Sequence, residues 1–281
     1  MKNYWLFTLV LVVMACGNTD DPEPTNTKGY NMLLIGNSFF KPYALHLDAL
    51  ADHEEIENHA ATVVFRGGDN GRPINFWNDE DSNEHQLIKE TLDQGDIEIF
   101  GMTAGVLPEN PTDGFREWIA YAVGKNPDVI ILLSIPPLDF PADWEQLAAS
   151  YGYASVQELY AYFVNNMIHQ TLVEPLRAEF PSTQIFTIPT GWATIQLAQM
   201  QQDDLLLDEI SLFGAKETSI FTDAKGHQGQ IVIEAGALLW LNGIYGIDLS
   251  TNTYDTGFTP DLHKIAADIL SDHDANYVFH Q

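Results

Sequence analysis

Residues 32–40, which read MLLIGNSFF, decide the fold. Their continuous apolar run ends at Gly36, a pattern typical of a strand buried on both faces of a parallel sheet. The following segment, 42–53, has apolar residues at helical spacing behind a proline, and we predict a helix there. Ser38 therefore lies on the turn between a first strand and a first helix.

Two interpretations of Ser38 follow from this position. In open α/β sheets, ligands bind beyond the carboxyl ends of the strands, and the free N–H groups of a helix N-terminus favour developing negative charge. A serine before a helix is also a common cap, whose hydroxyl accepts a backbone N–H bond. The stretch by itself leaves both interpretations open.

Beyond residue 30 the chain alternates strands and helices without an internal repeat. Further strands are predicted at 62–65, 97–100, 129–133 and 184–188, and further helices at 84–92, 115–123, 156–180 and 231–245. This alternation predicts an α/β fold, a three-layer sandwich around a five-stranded doubly wound parallel sheet. The default strand order is the flavodoxin-like 2-1-3-4-5. About 250 residues suit one domain, residues 30–281.

A second polar motif lies at residues 222–229, which read TDAKGHQG. It places an acid, Asp223, and a histidine, His227, four residues apart in a glycine-containing turn before the last long helix. Acyl transfer needs a nucleophile, a base that takes its proton and a group that orients the base. A serine hydroxyl is a weak nucleophile until a base shares its proton. Ser38 is the candidate nucleophile, His227 the candidate base and Asp223 the candidate orienting group.

The other histidines are weaker candidates for the base. Five fall within predicted helices, where a surface or packed role is expected, and three lie in polar or terminal stretches with nothing chemical around them: His46, His53, His85, His169 and His263, then His59, His273 and His280. Asp223 also has an alternative role, as a carboxylate that caps its own turn. A backbone carbonyl would then orient His227, and the site would be a dyad.

In these motifs and their order the chain resembles the SGNH (GDSL-type) hydrolases. Gly36-Asn37-Ser38 resembles the first block of that family, with Asn in place of the usual Asp. Asp223 and His227 resemble its last block, in which the usual spacing is three residues rather than four. The resemblance extends over nearly all of the chain after the leader. It implies the same strand order and a carboxylic ester hydrolase.

The resemblance also implies an oxyanion hole. Family members use the serine N–H, a glycine N–H after the second strand and an asparagine side chain after the third. Gly68 suits the second donor, because glycine lets backbone approach a ligand closely. Residues 101–105, GMTAG, contain no asparagine. Thr103 or Asn70 could supply the third donor, and losing one such donor costs on the order of 3 kcal/mol in the transition state.

Aromatic residues are frequent near the predicted strand ends, and some of them must be core. Trp192, after the fifth strand, is the best candidate for an exposed platform on which a sugar ring stacks. This position suggests a carbohydrate substrate.

The first sixteen residues predict a lipoprotein signal peptide. Lys2 precedes an apolar core too short to span a bilayer, and residues 13–16 (VMAC) resemble a lipobox with Cys16 as the lipidated residue. The alternative is an ordinary secretory signal that contains a cysteine. Residues 17–29 predict a disordered acidic tether. Together they place the protein in the cell envelope, anchored to the outer membrane or cell surface.

The net charge of the chain limits the classes of partner that it can bind. Acidic residues number 40 against 12 basic ones, for a formal net charge of −28. Such a chain repels nucleic acid and anionic lipid, so we predict no nucleic-acid partner. Its acidic pairs are typical of solvated loops and none has calcium-loop spacing, so we predict neither a metal nor a cofactor.

Three functions remain. The first is a lipid-anchored serine esterase that removes acyl groups, with acetyl as a candidate, from an extracellular carbohydrate or small ester. The second, motivated by the missing Asn and the altered Asp–His spacing, is a catalytically silent glycan-binding lipoprotein. The third is a lipase-like enzyme for long acyl chains, for which the sequence shows no extended apolar lid.

Overall fold

The computed structural model describes residues 27–105, 107 and 109–280. The predicted signal peptide, with Cys16, and most of the predicted tether lie outside this part of the chain. The end of that tether pairs with the domain, since Gly29 N donates to Glu57 O at 2.6 Å and Lys28 contacts Glu98 at 2.7 Å. Within the described residues no helix has both the length and the apolar character to span a membrane.

Five parallel strands form the main sheet, in the order β2-β1-β3-β4-β5. They are β1 Asn31–Gly36, β2 Ala60–Phe65, β3 Ile99–Thr103, β4 Ile130–Ser134 and β5 Ile185–Ile188. Both the α/β class and the 2-1-3-4-5 order are confirmed. The carboxyl ends of β1, β2 and β3 are therefore neighbours at one edge of the sheet.

The central strands are covered on both faces. Leu33, Leu34 and Ile35 are consecutive and all 0% exposed. Successive side chains of a strand point to opposite faces, so neither face of β1 reaches solvent. Gly101 of β3 makes room for this packing, because a Cβ there would lie 2.5 Å from a Leu34 methyl carbon.

Ten α-helices are described. They are α1 Lys41–His53, α2 Pro73–Asn78, α3 Asn83–Asp93, α4 Phe115–Lys125, α5 Trp144–Ser150, α6 Val156–Tyr162, α7 Glu174–Glu179, α8 Gly191–Gln202, α9 Gln230–Tyr245 and α10 Leu262–Ser271. A π-helical segment, Phe163–Val173, joins α6 to α7, so the predicted helix at 156–180 is one continuous element. The predicted helices are present, and His263 lies in a helix, α10, as expected, although no bounds were predicted for it. The helices α2, α5 and α8 were not predicted.

Two groups of helices cover the sheet. Helices α1 and α3 both contact β1. The chain crosses from β1 to β2 through α1 and from β2 back to β3 through α3, in opposite directions along the sheet, so right-handed crossovers place the two helices on opposite faces. α9 packs against α1, α8 and α10, while α3 packs against α2 and α4. Gly236 allows the close approach of α9 to α1, because a Cβ there would lie 2.2 Å from the Tyr43 ring.

A small parallel pair outside the main sheet, β6 Ser211–Phe213 and β7 Ser219–Phe221, was not predicted. The three residues of β7 are buried. β7 leads directly into residues 222–229, so a buried element anchors the polar turn that carries Asp223 and His227.

Candidate active site

The serine turn is organised by Asn37. The N–H groups of Phe40 and Lys41 donate to Asn37 O at 3.2 and 3.0 Å, and Phe39 N donates to Asn37 Oδ1 at 3.0 Å. The Ser38 hydroxyl makes no capping bond to α1, whose N-cap residue is Phe40. The capping interpretation of Ser38 is therefore wrong, because Asn37 does that work and leaves the serine hydroxyl free for another partner.

The turn at residues 222–229 is closed by backbone hydrogen bonds. Thr222 N donates to His227 O at 2.8 Å, and Gly229 N donates to Ile220 O at 2.7 Å. Gly226 supplies the positive φ of 100° that the reversal needs. The buried Gln228 side chain donates to Phe39 O at 3.0 Å. This bond ties the turn to the serine turn across the sheet edge.

Ser38, His227 and Asp223 form one hydrogen-bonded chain. Ser38 Oγ lies 2.7 Å from His227 Nε2, and His227 Nδ1 lies 2.5 Å from Asp223 Oδ2. The candidate nucleophile and the candidate base therefore lie within hydrogen-bonding distance of each other. Asp223 Oδ1 also accepts from the N–H groups of Gly226 and His227, at 3.1 and 3.2 Å. The carboxylate thus both caps its turn and holds the imidazole, so the two predicted roles coexist.

Hydrogen bonding keeps the Asp223 carboxylate ionised. Partial burial acts to raise the pKa of Asp223, but the hydrogen bonds from the His227 ring and from the His227 and Gly226 backbone outweigh it, and the pKa lies below its usual value. An ionised carboxylate at Nδ1 places the ring proton on that nitrogen and leaves Nε2 as an acceptor for the Ser38 hydroxyl. The Phe39 ring stacks on His227, with centroids 5.1 Å apart, and restrains the imidazole plane.

Backbone donors lie beside the serine. The Ser38 N–H finds no acceptor among the described residues. Gly68 opens a single 3-10 turn, Gly68–Gly71, with φ of +57°, and the first N–H of such a turn has no partner within it. Gly71 packs this turn against the serine turn, because a Cβ there would lie 2.6 Å from Gly36 O and 2.7 Å from Asn37 Cα. Both N–H groups therefore belong to the same edge of the sheet.

Lys225 also lies at this edge of the sheet, and its place there was not predicted from the sequence. Its Nζ lies 3.8 Å from the Cβ position of Gly68 and 6.0 Å from the centroid of the Phe39 ring. Its acidic partner, Asp139, is at 3.6 Å, a long contact for an ion pair. The signal that could have found it is a lysine between Asp223 and His227 in a chain with 12 basic residues. The ammonium group places a cation beside the backbone donors.

The remaining predicted site residues are more dispersed. Thr103 ends β3 and is 1% exposed, while Asn70 is exposed within the Gly68–Gly71 turn. Trp192 lies in α8 and packs edge-to-face on Tyr160. It lines a cavity of about 460 Å³, and Ser38, Asp223 and His227 are not among the described residues that line it. The structure thus brings together the serine, the acid, the histidine and the Gly68 turn, and places Trp192 elsewhere.

A second histidine pair lies in the interior. Thr187 Oγ1 of β5 is 2.8 Å from His273 Nε2 and 3.2 Å from His169 Nε2, and the His169 ring stacks on Tyr277. Burial lowers the pKa of His169 to about 3 and that of His273 to about 4. In the sequence His273 lies in a stretch with no chemical partner nearby. Its partners come from a strand and a helix that are distant in the chain.

No group of three or more His, Cys, Asp or Glu side chains within the described residues is arranged to hold a metal ion. The acidic pairs predicted to be solvated, at 79–81, 203–204 and 208–209, lie at turns and helix ends.

No protein-family model matches the chain, and no curated protein matches it. Among solved structures, the periplasmic domain of a lipopolysaccharide acetyltransferase from Salmonella ser. Paratyphi A aligns with a TM-score of 0.36 and 15% identity. The alignment covers 60% of this chain and 69% of that one. A similarity at this level does not establish a family.

Proposed function

We propose that the protein is a serine esterase of the SGNH type that hydrolyses acyl esters. The observation that carries this proposal is the chain from Ser38 Oγ to His227 Nε2 at 2.7 Å and from His227 Nδ1 to Asp223 Oδ2 at 2.5 Å. A nucleophile, a base and an orienting acid within hydrogen-bond reach of one another are the arrangement that acyl transfer needs. The chain order of the three residues is that of the resembling family.

The reaction proceeds in two halves. Ser38 Oγ bonds to the ester carbonyl carbon while its proton passes to His227 Nε2, and the carbonyl electrons move to oxygen. The tetrahedral oxyanion then collapses, the bond to the leaving alcohol breaks, and the imidazolium returns the proton to that alcohol. Water repeats the sequence on the acyl-enzyme, which releases the acid and restores Ser38. Ionised Asp223 stabilises the imidazolium in both halves.

Three donors stabilise the oxyanion in this proposal. Two are the backbone N–H groups of Ser38 and Gly68, which have no partner within their own turns. The third is the Lys225 ammonium, which lies 3.8 Å from the Cβ position of Gly68. It substitutes for the asparagine that the resembling family carries after its third strand. A cation near a developing negative charge is worth more than a neutral donor, because charge-assisted hydrogen bonds are stronger.

The openness of the site favours an ester carried on a large polar molecule. The side chains of His227 and Asp223 are 32% and 47% exposed, so the triad lies at the surface rather than at the bottom of an apolar tunnel. A long acyl chain gains affinity by burial, which this surface offers little of. We therefore propose short acyl groups, with acetyl as the candidate, on an extracellular carbohydrate or on a small ester.

A second candidate function is a catalytically silent glycan-binding protein. It is favoured by one observation, the absence of an asparagine from residues 101–105. This candidate predicts that Ser38 is not activated, although it is bonded to His227.

Labelling with a fluorophosphonate separates the two candidates, because this reagent reacts only with an activated serine. The esterase proposal expects the wild type to be labelled at Ser38, Ser38→Ala to be unlabelled, and Ser82→Ala to be labelled as fully as the wild type. Ser82 is a matched control, since its hydroxyl caps α3 and does not contact a histidine ring. A wild type that resists the reagent and hydrolyses no ester would favour the silent binding protein.

We also propose that lipid on Cys16 anchors the protein in the cell envelope. The lipobox-like VMAC sequence at residues 13–16 supports this proposal. Cys16→Ser should abolish metabolic labelling with a fatty acid and release the protein from the membrane fraction. A lipid that persists on the Cys16→Ser protein would contradict the assignment.

A further inference from the structure

The cavity that Trp192 lines is distinct from the Ser38 site and has both polar and apolar lining residues. It lies between α6, the π-helical segment, α8 and the end of α10, and its volume is about 460 Å³. Its polar lining residues are Gln157, Asn165, Gln196, Asp272, His273 and Asp274. Ligand cavities in proteins commonly measure about 300–1,000 Å³, so this one is large enough to hold a small molecule.

Within the described part of the chain, several polar groups around the cavity have no hydrogen-bond partner. Among the described residues, none accepts from the Trp192 indole N–H, and none bonds to the side chains of Asn165, Gln196 or Asp272. Gln157 donates one amide hydrogen to Gln199 Oε1 at 2.9 Å. Asn165 and Asp272 are exposed, and Gln196 and Trp192 are half-buried. The open carboxamides offer both donors and acceptors, the indole a donor and the carboxylate an acceptor.

Apolar surface lies beside these groups. Val164, Ile195 and Ile269 line the same cavity as the Trp192 ring. A sugar ring has the matching character, with C–H groups on its faces and hydroxyls at its edge. The faces can lie against indole and aliphatic carbon, while each hydroxyl can donate to a carboxylate or carboxamide oxygen and accept from an amide or indole N–H.

Other ligand classes fit less well. The described lining contains no lysine or arginine, and the carboxylates of Asp272 and Asp274 repel an anion. A metal ion is also disfavoured, because the described residues include no group of three metal-ligating side chains and His273 Nε2 is engaged by Thr187. A purely apolar ligand would leave the carboxamides without partners.

We propose that this cavity is a binding site for a neutral oligosaccharide, separate from the Ser38 site. Trp192 supplies the stacking surface, Asn165 and Gln196 bond the hydroxyls from two sides, and Asp272 gives the site its preference for uncharged sugars. The proposal does not depend on Ser38 being catalytic. The protein would then bind glycan at this cavity whether or not an ester is cleaved at Ser38.

The test is a titration followed by tryptophan fluorescence and by calorimetry. The probes are the neutral trisaccharides of N-acetylglucosamine, glucose (β-1,4) and xylose, with trigalacturonic acid as the anionic probe. We expect saturable binding of at least one neutral trisaccharide, equal in the wild type and Ser38→Ala. Trp192→Ala should weaken it by about tenfold or more, Gln196→Ala should weaken it less, and trigalacturonic acid should not bind.

Trp77→Ala is the matched control. Trp77 is also half-buried and packs edge-to-face on an aromatic ring, Trp118, with centroids 4.8 Å apart, as Trp192 does on Tyr160 at 4.8 Å. It does not line the cavity. Trp77→Ala should therefore bind as the wild type does, and melting temperatures should show that both variants fold. The proposal is overturned if no neutral trisaccharide binds, if binding survives in folded Trp192→Ala, or if trigalacturonic acid binds equally well.

Discussion

Two histidine sites in this protein place the same side chain in opposite environments. At the sheet edge, His227 is 32% exposed and bonded to a carboxylate, whereas under β5 His169 and His273 are buried around the hydroxyl of Thr187. The first environment keeps the imidazole near solvent and orients one ring nitrogen toward Ser38. The second holds both imidazoles neutral, since burial penalises their charged form. Solvent therefore reaches the imidazole at the sheet edge far more than the two imidazoles under β5.

In the proposed mechanism His227 is a base because of its carboxylate partner and its exposure, not because it is a histidine. The His169 and His273 pair has a hydroxyl in reach, as His227 has, but Thr187 is buried, and among the described residues no carboxylate is hydrogen-bonded to either ring. A substrate cannot reach that hydroxyl.

The largest expected effect is on ester hydrolysis, which should depend on His227 and not on His273. With a short p-nitrophenyl ester, His227→Ala should lower kcat by about 10⁴-fold or more, because nucleophile and base act as one unit. His273→Gln should retain wild-type kcat, since that ring touches no part of the triad. Steady-state rates of both variants, with melting temperatures to show folding, measure the contrast. Equal losses in the two variants would remove it.

Asp223→Asn tests the orienting acid. The Asp223 carboxylate is the group that bonds Nδ1, and an amide there can hold the imidazole in the wrong tautomer, so kcat should fall by up to about 10⁴-fold. KM should change little, because in the proposed mechanism Asp223 acts through the His227 ring. A loss of less than about tenfold would show that a backbone carbonyl orients the ring and that the site works as a dyad.

A smaller effect is expected at Lys225. Lys225→Met should lower kcat by about 10²- to 10³-fold, the cost of one oxyanion donor, with KM nearly unchanged, and Lys225→Arg should restore part of the activity. The fluorophosphonate should still label Lys225→Met, because the triad is intact, but at a lower rate than it labels the wild type. Lys216→Met is the control, since Lys216 lies in a surface turn. A kcat of wild-type magnitude in Lys225→Met would remove the ammonium from the oxyanion hole.

The smallest effect concerns stability and pH. His169 and His273 have folded pKa values of about 3 and about 4, below the usual 6.5. Between pH ~6.5 and ~4 these two histidines therefore bind protons in the unfolded chain but not in the folded chain. The free energy of unfolding consequently falls as the pH falls through this window. It is flat above, with respect to these groups. Each pKa unit is worth about 1.4 kcal/mol.

His273→Gln removes one of these groups. Its free energy of unfolding should fall by less between pH 7 and pH 4 than that of the wild type, by on the order of 2–3 kcal/mol. Denaturant titrations at the two pH values measure this difference. His280→Gln, at an exposed position, should keep the wild-type slope. An unchanged slope in His273→Gln would mean that this histidine does not resist protonation in the folded protein.

Much of the fold was predictable from local pattern. Apolar runs ended by glycine or proline located all five strands of the sheet to within a few residues, and helical spacing located the helices that cross between them. The helices α2, α5 and α8 were missed. α8 begins directly after Pro189-Thr190, where the sequence indicates a turn, and its residues are buried on several sides, which weakens a one-sided apolar stripe.

The candidate site divides in the same way. Ser38, Asp223 and His227 were found from chain order and polar turn composition, because a turn after a buried strand brings its polar residues to one sheet edge. Lys225, Phe39 and Gln228 were not, although each contacts the triad or its turns. Their roles follow from the approach of two turns that are 189 residues apart in the chain.

The positions of the five strands, the positions of the serine and Asp–His turns and the excess of acidic charge could be read from the sequence, because each depends on residues close together in the chain. Three other features depend on the folded structure. Asn37 rather than Ser38 satisfies the backbone at α1, Lys225 lies beside Gly68, and Trp192 lines a cavity of its own instead of the serine site. The physical reason is that hydrogen bonds, burial and charge act between atoms in space. Residues far apart in sequence share an environment only after the parallel sheet has brought their turns together.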